Sequence, residues 1–289
     1  MTVTRNARRH EPMSQQIIAL QLDLRQRRQP YAVATVVEVL GSSSAKTSAK
    51  AVFDEDGKLV AGWVGGGCAQ SMVAEAALQC LLSGSTCLVE VDLTDEVFGA
   101  GMPCGGHMRV YVEPVLPNPR LWLLGHGLIV EALCEFASRV GYDVVVNDSQ
   151  AKAERFPRAV DLITDDIRYG RLSPDPVDSV VVATHHKGDY DALTQALKSD
   201  ARYIAMIASR TRAVTVKNRL HQEGYSNAQL SRIRTPAGLN LAARMPEEIA
   251  LAIAAEMVMV RRGGNGQALV ASEPPIAPPT PDVTAPSPR

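Results

Sequence analysis

The sequence predicts an α/β protein, in which an N-terminal α+β domain is followed by a Rossmann-like, doubly wound parallel-sheet domain. The second domain is predicted by apolar strands such as 180–183 that alternate with helical stretches, and by a strand that runs into Gly125-His126-Gly127 and a helix. Continuous apolar strands of this kind are typical of parallel sheets covered on both faces. The first domain instead contains a hairpin signal, Asp56-Gly57, and its glycines are concentrated in two loops.

The domain limits follow from shifts in composition. Residues 1–12 are polar and basic and are predicted to be disordered, and 13–114 form the first domain. Three prolines within 113–119 predict an extended connector before a second domain over 120–263. The remaining residues, 264–289, are rich in proline and poor in apolar side chains, which predicts a disordered tail.

Local patterns predict the elements of each domain. For the first domain we expect a helix from Ser14, a helix over 69–82 ended by Gly84, and strands over 31–40, 49–53, 59–64, 87–93 and 107–112. For the second we expect strands over 121–124, 143–147, 160–163, 179–183 and 203–207, and a final helix over 246–261.

Composition excludes several classes of function. The 30 Lys and Arg residues balance 31 Asp and Glu residues, and aromatic residues are 4% of the chain, so we expect no nucleic-acid partner. The sequence contains no run of about 18 apolar residues, so no membrane span is predicted. No apolar segment of the kind found in a signal peptide follows the polar first residues. The five cysteines lack the density of a disulfide scaffold, which predicts a reduced, cytoplasmic protein.

The clearest motif is the strand, Gly-x-Gly and helix around Gly125, His126 and Gly127. Such a turn places backbone N–H groups and a helix N-terminus against a pyrophosphate. Asp148 follows the next strand, where an acid binds a ribose hydroxyl and repels a 2′-phosphate. A dinucleotide such as NAD(P) is therefore a candidate ligand, although Val130 replaces the third glycine of the fingerprint, and a tight turn with no ligand has the same glycines.

Polar residues follow two later strands of the same sheet. Thr184 and His185 end one strand and Ser209-Arg210 follow another, at carboxyl ends where ligands bind in such sheets. The alternative is a solvated loop, which applies most to His186 and Lys187.

Two cysteines of the first domain lie in glycine-rich loops. Cys68 follows Gly65, Gly66 and Gly67 at the start of a helix, a place that lowers a thiol pKa, and the glycines suit an anion-binding nest. Cys104 precedes Gly105 and Gly106, where backbone can approach a ligand. Neither has a C-x-x-C partner, so no metal site is predicted. Small buried cysteines are the alternative, and this is the default for Cys80, Cys87 and Cys134.

The chain resembles the XdhC/CoxI family in several motifs that occur in the family's order. They are Gly41-Ser42-Ser43, Gly65-Gly66-Gly67-Cys68, Met102-Pro103-Cys104-Gly105-Gly106, Gly125-His126-Gly127, Thr184-His185-His186-Lys187-Gly188-Asp189, Ala208-Ser209-Arg210 and Pro236-Ala237-Gly238-Leu239. Gln70 stands where family members usually have Glu, so the carboxylate usual at that position of the family motif is absent here.

The resemblance implies an accessory protein that binds molybdenum cofactor, either in its cytosine dinucleotide form or without the nucleotide. It also implies that the protein assists sulfuration of the cofactor and its insertion into a molybdenum hydroxylase of the xanthine dehydrogenase or CO dehydrogenase type. It implies a maturation chaperone rather than a metabolic enzyme, with the apo-hydroxylase and a cysteine desulfurase as partners, and a homodimer. Cys104, with Cys68, would contact the molybdenum end or assist sulfur transfer.

Two other functions stay open at this point. An NAD-dependent oxidoreductase acting on a small carbonyl or hydroxy substrate would use His185 as its acid or base. A scaffold would keep the nucleotide pocket for stability and dock a target enzyme through the basic N-terminus or the proline-rich tail.

Overall fold

The computed structural model describes residues 13–41, 43–92, 106–184 and 188–272. The chain divides between Pro117 and Asn118 into two compact units, which are described separately. Residues 1–12 and 273–289 of the segments expected to be disordered lie outside the described residues. Residues 264–272 of the expected tail are described, and they end in a 3₁₀ turn at Leu269–Ser272 whose first two side chains are exposed.

The described part of the first unit consists of two helices and a five-stranded antiparallel sheet with strand order β3-β2-β1-β5-β4. In chain order the elements are α1 (Met13–Gln26), β1 (Tyr31–Gly41), β2 (Lys50–Phe53), β3 (Leu59–Gly62), α2 (Gly67–Ser83), β4 (Cys87–Asp92) and β5 (Gly106–Val115). Gly84 ends α2 as predicted: it has φ +68°, and its N–H donates to the Cys80 carbonyl.

Both faces of this sheet carry apolar residues because side chains alternate along a strand. Ala32 and Ala34 of β1 pack in one buried cluster with α2. Tyr31 and Val33 pack on the other face in a cluster that contains Ile17 of α1. The sheet therefore lies between its two helices.

The expected connector over 113–119 is too long, because β5 continues to Val115. Pro114 lies opposite Ala32 of β1, whereas the pairing with β4 stops at Cys87 and Val112. Beyond Val112, β5 is an edge strand, where a residue without an N–H is tolerated.

The second unit contains a six-stranded parallel sheet with strand order β11-β10-β9-β6-β7-β8. Its strands are β6 (Arg120–Gly125), β7 (Asp143–Asn147), β8 (Ala159–Ile163), β9 (Ser179–Ala183), β10 (Tyr203–Met206) and β11 (Ile233–Arg234). Its helices are α3 (Leu128–Arg139), α4 (Asp189–Leu197), α5 (Arg210–Gln222), α6 (Asn227–Ser231) and α7 (Pro246–Arg262), with a 3₁₀ turn at Ala153–Arg155.

Helices cover this sheet on both faces, which confirms the predicted fold class. Leu121 and Leu123 of β6 belong to a buried cluster with α3 and α7. Trp122 and Leu124 belong to a cluster with α4 and α5 on the opposite face. The strand order reverses between β6 and β9, and in open α/β sheets ligands bind at such a switch point, beyond the carboxyl ends of the strands.

Candidate functional site

The β6–α3 turn is shaped by two glycines with positive φ. Gly125 has φ +133°, and a Cβ built there would lie 2.4 Å from the carbonyl oxygen of Ala183 in β9. Gly127, with φ +111°, precedes the first residue of α3 and has no side chain to cap the helix. Only glycine permits this close approach of β6 to β9, and the first N–H groups of α3 are left without a side-chain cap.

A cavity of about 310 Å³ lies at this turn. Its lining comes from the start of α3, the end of β9, the residue after β10 and α5: His126, Gly127, Leu128, Ile129, Val130, Ala183, Thr184, Ile207 and Arg212. Uncapped N–H groups and the helix dipole both favour an anion here. The structure thus brings Thr184 together with His126 and Gly127 of the Gly-x-Gly turn, two features that the sequence indicated separately.

Arg212 is held at the cavity by two residues that follow β9. Its Nε donates to Asp189 Oδ2 across 2.7 Å and its Nη2 donates to the Thr184 carbonyl across 2.8 Å, while Nη2 also contacts Asp189 Oδ2. The Thr184 hydroxyl donates to the other oxygen of Asp189. The side chain of Asp189 is 4% exposed and that of Arg212 is 19% exposed. We call these three residues the arginine clamp.

Asp148 lies after β7, as the dinucleotide fingerprint requires, but its carboxylate contacts another site residue. Its Oδ1 is 3.0 Å from Nδ1 of His126, and both side chains are mostly buried. Asp148 does not line the 310 Å³ cavity, and it does not line the adjoining cavity of about 700 Å³. The close approach to His126 Nδ1 is thus the contact that this structure gives to the predicted ribose-binding acid.

Tyr169 is a buried residue of the loop after β8 and lies close to these acids. Its φ of +56° is uncommon for a bulky side chain. Burial, followed by the negative charges of Asp148 and Asp189, raises the pKa of Tyr169 to about 12. A Cβ built on Gly188 would lie 2.8 Å from the Tyr169 hydroxyl oxygen. Its hydroxyl is therefore protonated at neutral pH and lies against the chain segment that leads into α4.

A second cavity, of about 700 Å³, adjoins the first through the shared residues Ile207 and Arg212. The start of α5 and the loop 236–243 form most of its lining. Ser209 caps α5 by accepting from the Arg212 N–H across 3.3 Å, and Arg210 is exposed at the first position of the helix. The predicted pair Ser209-Arg210 therefore lines the second cavity.

Glu256 of α7 stabilises the loop that lines this second cavity. It is mostly buried and accepts from the Tyr203 hydroxyl at 2.6 Å, from Arg234 Nη1 at 3.1 Å and from the Gly238 N–H at 2.9 Å. Burial and the Glu256 carboxylate raise the pKa of Tyr203 far above its ordinary value. These bonds connect α7 to β10, to β11 and to the cavity wall.

The predicted residues of the first unit are described only in part. Gly66 precedes α2 without a side-chain cap, Gly65 and Gly67 have positive φ, and Gly106 is the first residue of β5. Cys68 lies in α2, but its side chain is outside the described part of the structure. Cys104 and Gly105, and His185 in the second unit, also lie outside the described residues. Their roles stay predictions.

The described ranges contain neither a metal-binding cluster nor a membrane-spanning helix. Among these residues, no group of three or more His, Cys, Asp or Glu side chains could hold a metal ion. In the same ranges, no helix is long and apolar enough to cross a membrane.

Comparison with known families assigns both units. The family described as XdhC Rossmann domain matches residues 121–257, and the XdhC and CoxI family matches residues 24–92. The chain belongs to the XdhC and CoxI family. The matched Rossmann domain contains the Gly125–Gly127 turn and the arginine clamp, and the predicted family resemblance is confirmed.

Individual relatives have different lengths. This chain is 29% identical to YqeB of Escherichia coli K12 over 245 residues, which are 82% of this chain and 44% of YqeB. It is 23% identical to the molybdenum cofactor insertion chaperone PaoD of Escherichia coli K12 over 282 residues, covering 79% of this chain and 83% of PaoD. A solved xanthine dehydrogenase from Bacillus halodurans is 26% identical, with a TM-score of 0.46, over 89% of this chain and 98% of that one. The chain therefore spans less than half the length of YqeB.

Sequence reasoning assigned no site role to three residues of the candidate site: Asp189, which it named only as part of a family motif, and Arg212 and Tyr169, which it did not name. Asp189 had a detectable signal, since it begins a helix directly after the predicted strand-end residues. Arg212 lies two positions beyond the predicted Arg210 on the same helix. Tyr169 had no local signal, because its loop is placed by the fold.

Proposed function

We propose that this chain is an accessory protein that binds molybdenum cofactor and assists its sulfuration and insertion into a xanthine dehydrogenase or CO dehydrogenase type molybdenum hydroxylase. The observation that carries the proposal is the cavity at the β6–β9 switch point, where the uncapped start of α3 and Arg212 lie together. Membership of the XdhC and CoxI family and similarity to PaoD support the identity of the ligand.

The residues present fit the pyrophosphate of a dinucleotide form of the cofactor. Gly125 and Gly127 keep the turn free of side chains, and backbone N–H groups at the start of α3 suit phosphate oxygens. Arg212 adds a charged donor, and its guanidinium is already oriented by Asp189 and Thr184. This fit supports a form of the cofactor that carries a pyrophosphate, and by resemblance to the family we propose the cytosine dinucleotide as that form.

The two adjoining cavities give this ligand enough room. Their volumes of about 310 and 700 Å³ fall within the ordinary range of small-molecule sites. Ile129, Val130 and Ile207 supply apolar surface in the smaller cavity. We propose that the nucleotide occupies the smaller cavity and that the ligand extends into the larger one beside Ser209 and Arg210.

The cofactor, when bound, carries the molybdenum atom that serves the chemistry of the target enzyme, and this chain binds and protects it. By resemblance to the family, we propose that Cys104, assisted by Cys68, contacts the molybdenum end or takes part in sulfur transfer. The apo-hydroxylase is the proposed receiving partner, a cysteine desulfurase is the proposed sulfur source, and a homodimer is the proposed assembly.

The test is to identify the small molecules that the protein carries. The full chain would be purified from a host that produces molybdenum cofactor, and the released compounds would be identified by mass spectrometry. We expect a molybdopterin compound in the wild-type protein, a strong loss in Arg212→Ala and no loss in Arg139→Ala, a control arginine that is exposed on α3. Release of NAD alone would contradict the proposal and favour the oxidoreductase.

A further inference from the structure

Cys80 and Cys87 of the first unit lie in direct contact. Cys80 is in the last turns of α2 and Cys87 is the first residue of β4. The Cys80 thiol donates a hydrogen bond to the Cys87 sulfur, and the two Sγ atoms are 3.2 Å apart. A disulfide bond is about 2.05 Å long, so the sulfurs need to approach by only about 1 Å to form one.

The two thiols differ in their surroundings. Cys80 is 2% exposed, and its sulfur also lies 3.8 Å from the Val112 carbonyl oxygen. Cys87 is half-buried and begins β4, which is an edge strand of the sheet. An oxidant can therefore reach Cys87 before Cys80. Among the described residues β4 has no neighbouring strand on its outer side, so it can shift slightly without breaking a second strand pairing.

We propose that Cys80 and Cys87 are a reversible dithiol–disulfide pair that a hydroperoxide oxidises, with Cys87 as the attacked thiol and Cys80 as the resolving one. The Cys87 thiolate attacks a peroxide oxygen: an S–O bond forms, the O–O bond breaks, and the released hydroxide takes up a proton to give water. The Cys80 sulfur then attacks the Cys87 sulfur, so that the S–S bond forms and the S–O bond breaks. The hydroxyl group leaves with the Cys80 proton as a second water.

The balance is two thiols and one hydrogen peroxide converted to one disulfide and two waters. The sulfurs together lose two electrons, and the peroxide oxygens gain them. Burial raises the pKa of Cys80 to about 12, with the hydrogen bond to Cys87 as the second cause. Cys80 therefore keeps its proton at neutral pH until the hydroxyl group leaves, and it is a poor first target for the peroxide.

The disulfide would tie the end of α2 to the start of β4, across the short segment that contains Gly84. It would restrict this corner of the first unit without requiring a change of fold. This inference is independent of the function proposed above, because neither thiol belongs to the cofactor-binding residues.

The positions of glutamate residues make the oxidised pair easy to detect. Cleavage after Glu75 and Glu90 gives a fragment, 76–90, that contains Cys80 and Cys87 and no other cysteine. Cys68 and Cys104 fall in other fragments. The folded full chain would be exposed to hydrogen peroxide, alkylated with N-ethylmaleimide under denaturing conditions, digested with a glutamate-specific protease and weighed by mass spectrometry.

We expect fragment 76–90 to lose both alkyl groups and the mass of two hydrogen atoms, and to recover both alkylation sites after dithiothreitol treatment. Cys134→Ser, a change at a separate buried cysteine, should oxidise at the same rate. In Cys87→Ser, Cys80 should stay fully alkylatable. The proposal is overturned if wild-type Cys80 and Cys87 both remain alkylatable, if Cys87 accumulates as a sulfinic acid, or if it cross-links to another fragment instead.

Discussion

Removal of the guanidinium from the arginine clamp is the most direct test of how the candidate site is built. Arg212→Ala leaves the carboxylate of Asp189, which is 4% exposed, with the Thr184 hydroxyl as its remaining side-chain hydrogen-bond partner among the described residues. Loss of one member of a buried ion pair typically costs about 3–5 kcal/mol, because the other charge stays buried without compensation. We expect a destabilisation of the second unit in this range.

The energetic coupling within the clamp can be separated from the cost of the individual substitutions. Asp189→Ala removes the buried charge and leaves Arg212 partly able to reach solvent. The double variant should then be less destabilised than the sum of the single variants by about 2 kcal/mol, as contacting residues in one network couple by roughly 0.5–3 kcal/mol. If the single effects add to within about 0.5 kcal/mol, the clamp is not an energetic unit and the reasoning is wrong.

The assay needs a signal from the second unit alone. The chain contains two tryptophans, Trp63 in the first unit and Trp122 in β6 of the second. In a Trp63→Phe background, fluorescence reports urea unfolding around the buried Trp122, and an unchanged m value shows that the variants unfold the same surface. Binding of cytidine diphosphate by calorimetry gives the second readout: Arg212→Ala should weaken it by about 10–100-fold, the value of a charge-assisted hydrogen bond. Arg139→Ala should leave it unchanged.

Three further predictions use the same chain. Gly125→Ala should lower the melting temperature and abolish cytidine diphosphate binding, because a Cβ there would lie 2.4 Å from a carbonyl oxygen at φ +133°. A Cβ at Gly170 would make only an ordinary contact of 3.7 Å with Asp166 Oδ1, so Gly170→Ala should change neither measurement. Cys104→Ala should lose the cofactor on gel filtration and Cys134→Ala should retain it; equal retention would remove Cys104 from the proposal. Burial raises the pKa of Cys134 from 9.0 to about 11, so the unfolded chain ionises first as the pH rises. The free energy of unfolding is therefore expected to fall by up to ~3 kcal/mol between pH 9 and pH 11. Urea midpoints measured across this range should fall less in Cys134→Ala than in the wild-type protein.

Much of the fold was predictable because its signals are local. Gly125 and Gly127 mark a turn that other residues would strain, and Gly84 ends α2 through its left-handed conformation. Pro114 was instead placed in the connector, although it lies in β5, because its pairing depends on distant residues. Whether a proline can join a strand depends on where the neighbouring strand ends, and the register of β4 against β5 is a long-range property.

The site was predictable in position but not in all of its residues. Strand ends place Thr184 and the start of α5 at the same edge of the sheet, as the sequence indicated. Arg210 and Arg212 are separated by about 200° around a helix, since each residue turns by about 100°. The phase of α5 decides which of them meets Asp189, and this phase depends on packing against the sheet. A local motif therefore finds the turn and the strand ends, and the folded chain selects the arginine.

The clamp also bears on how the proposed anion site would work in a chain with balanced charge. Asp189 neutralises Arg212, so the pair adds little net charge to the cavity while it orients the guanidinium donors. The favourable field must then come mainly from the N–H groups at the start of α3, which act at short range. We expect such a site to distinguish ligands by the position of their phosphate oxygens more than by their total charge. This agrees with the 30 basic and 31 acidic residues of the chain, which provide no general attraction for polyanions.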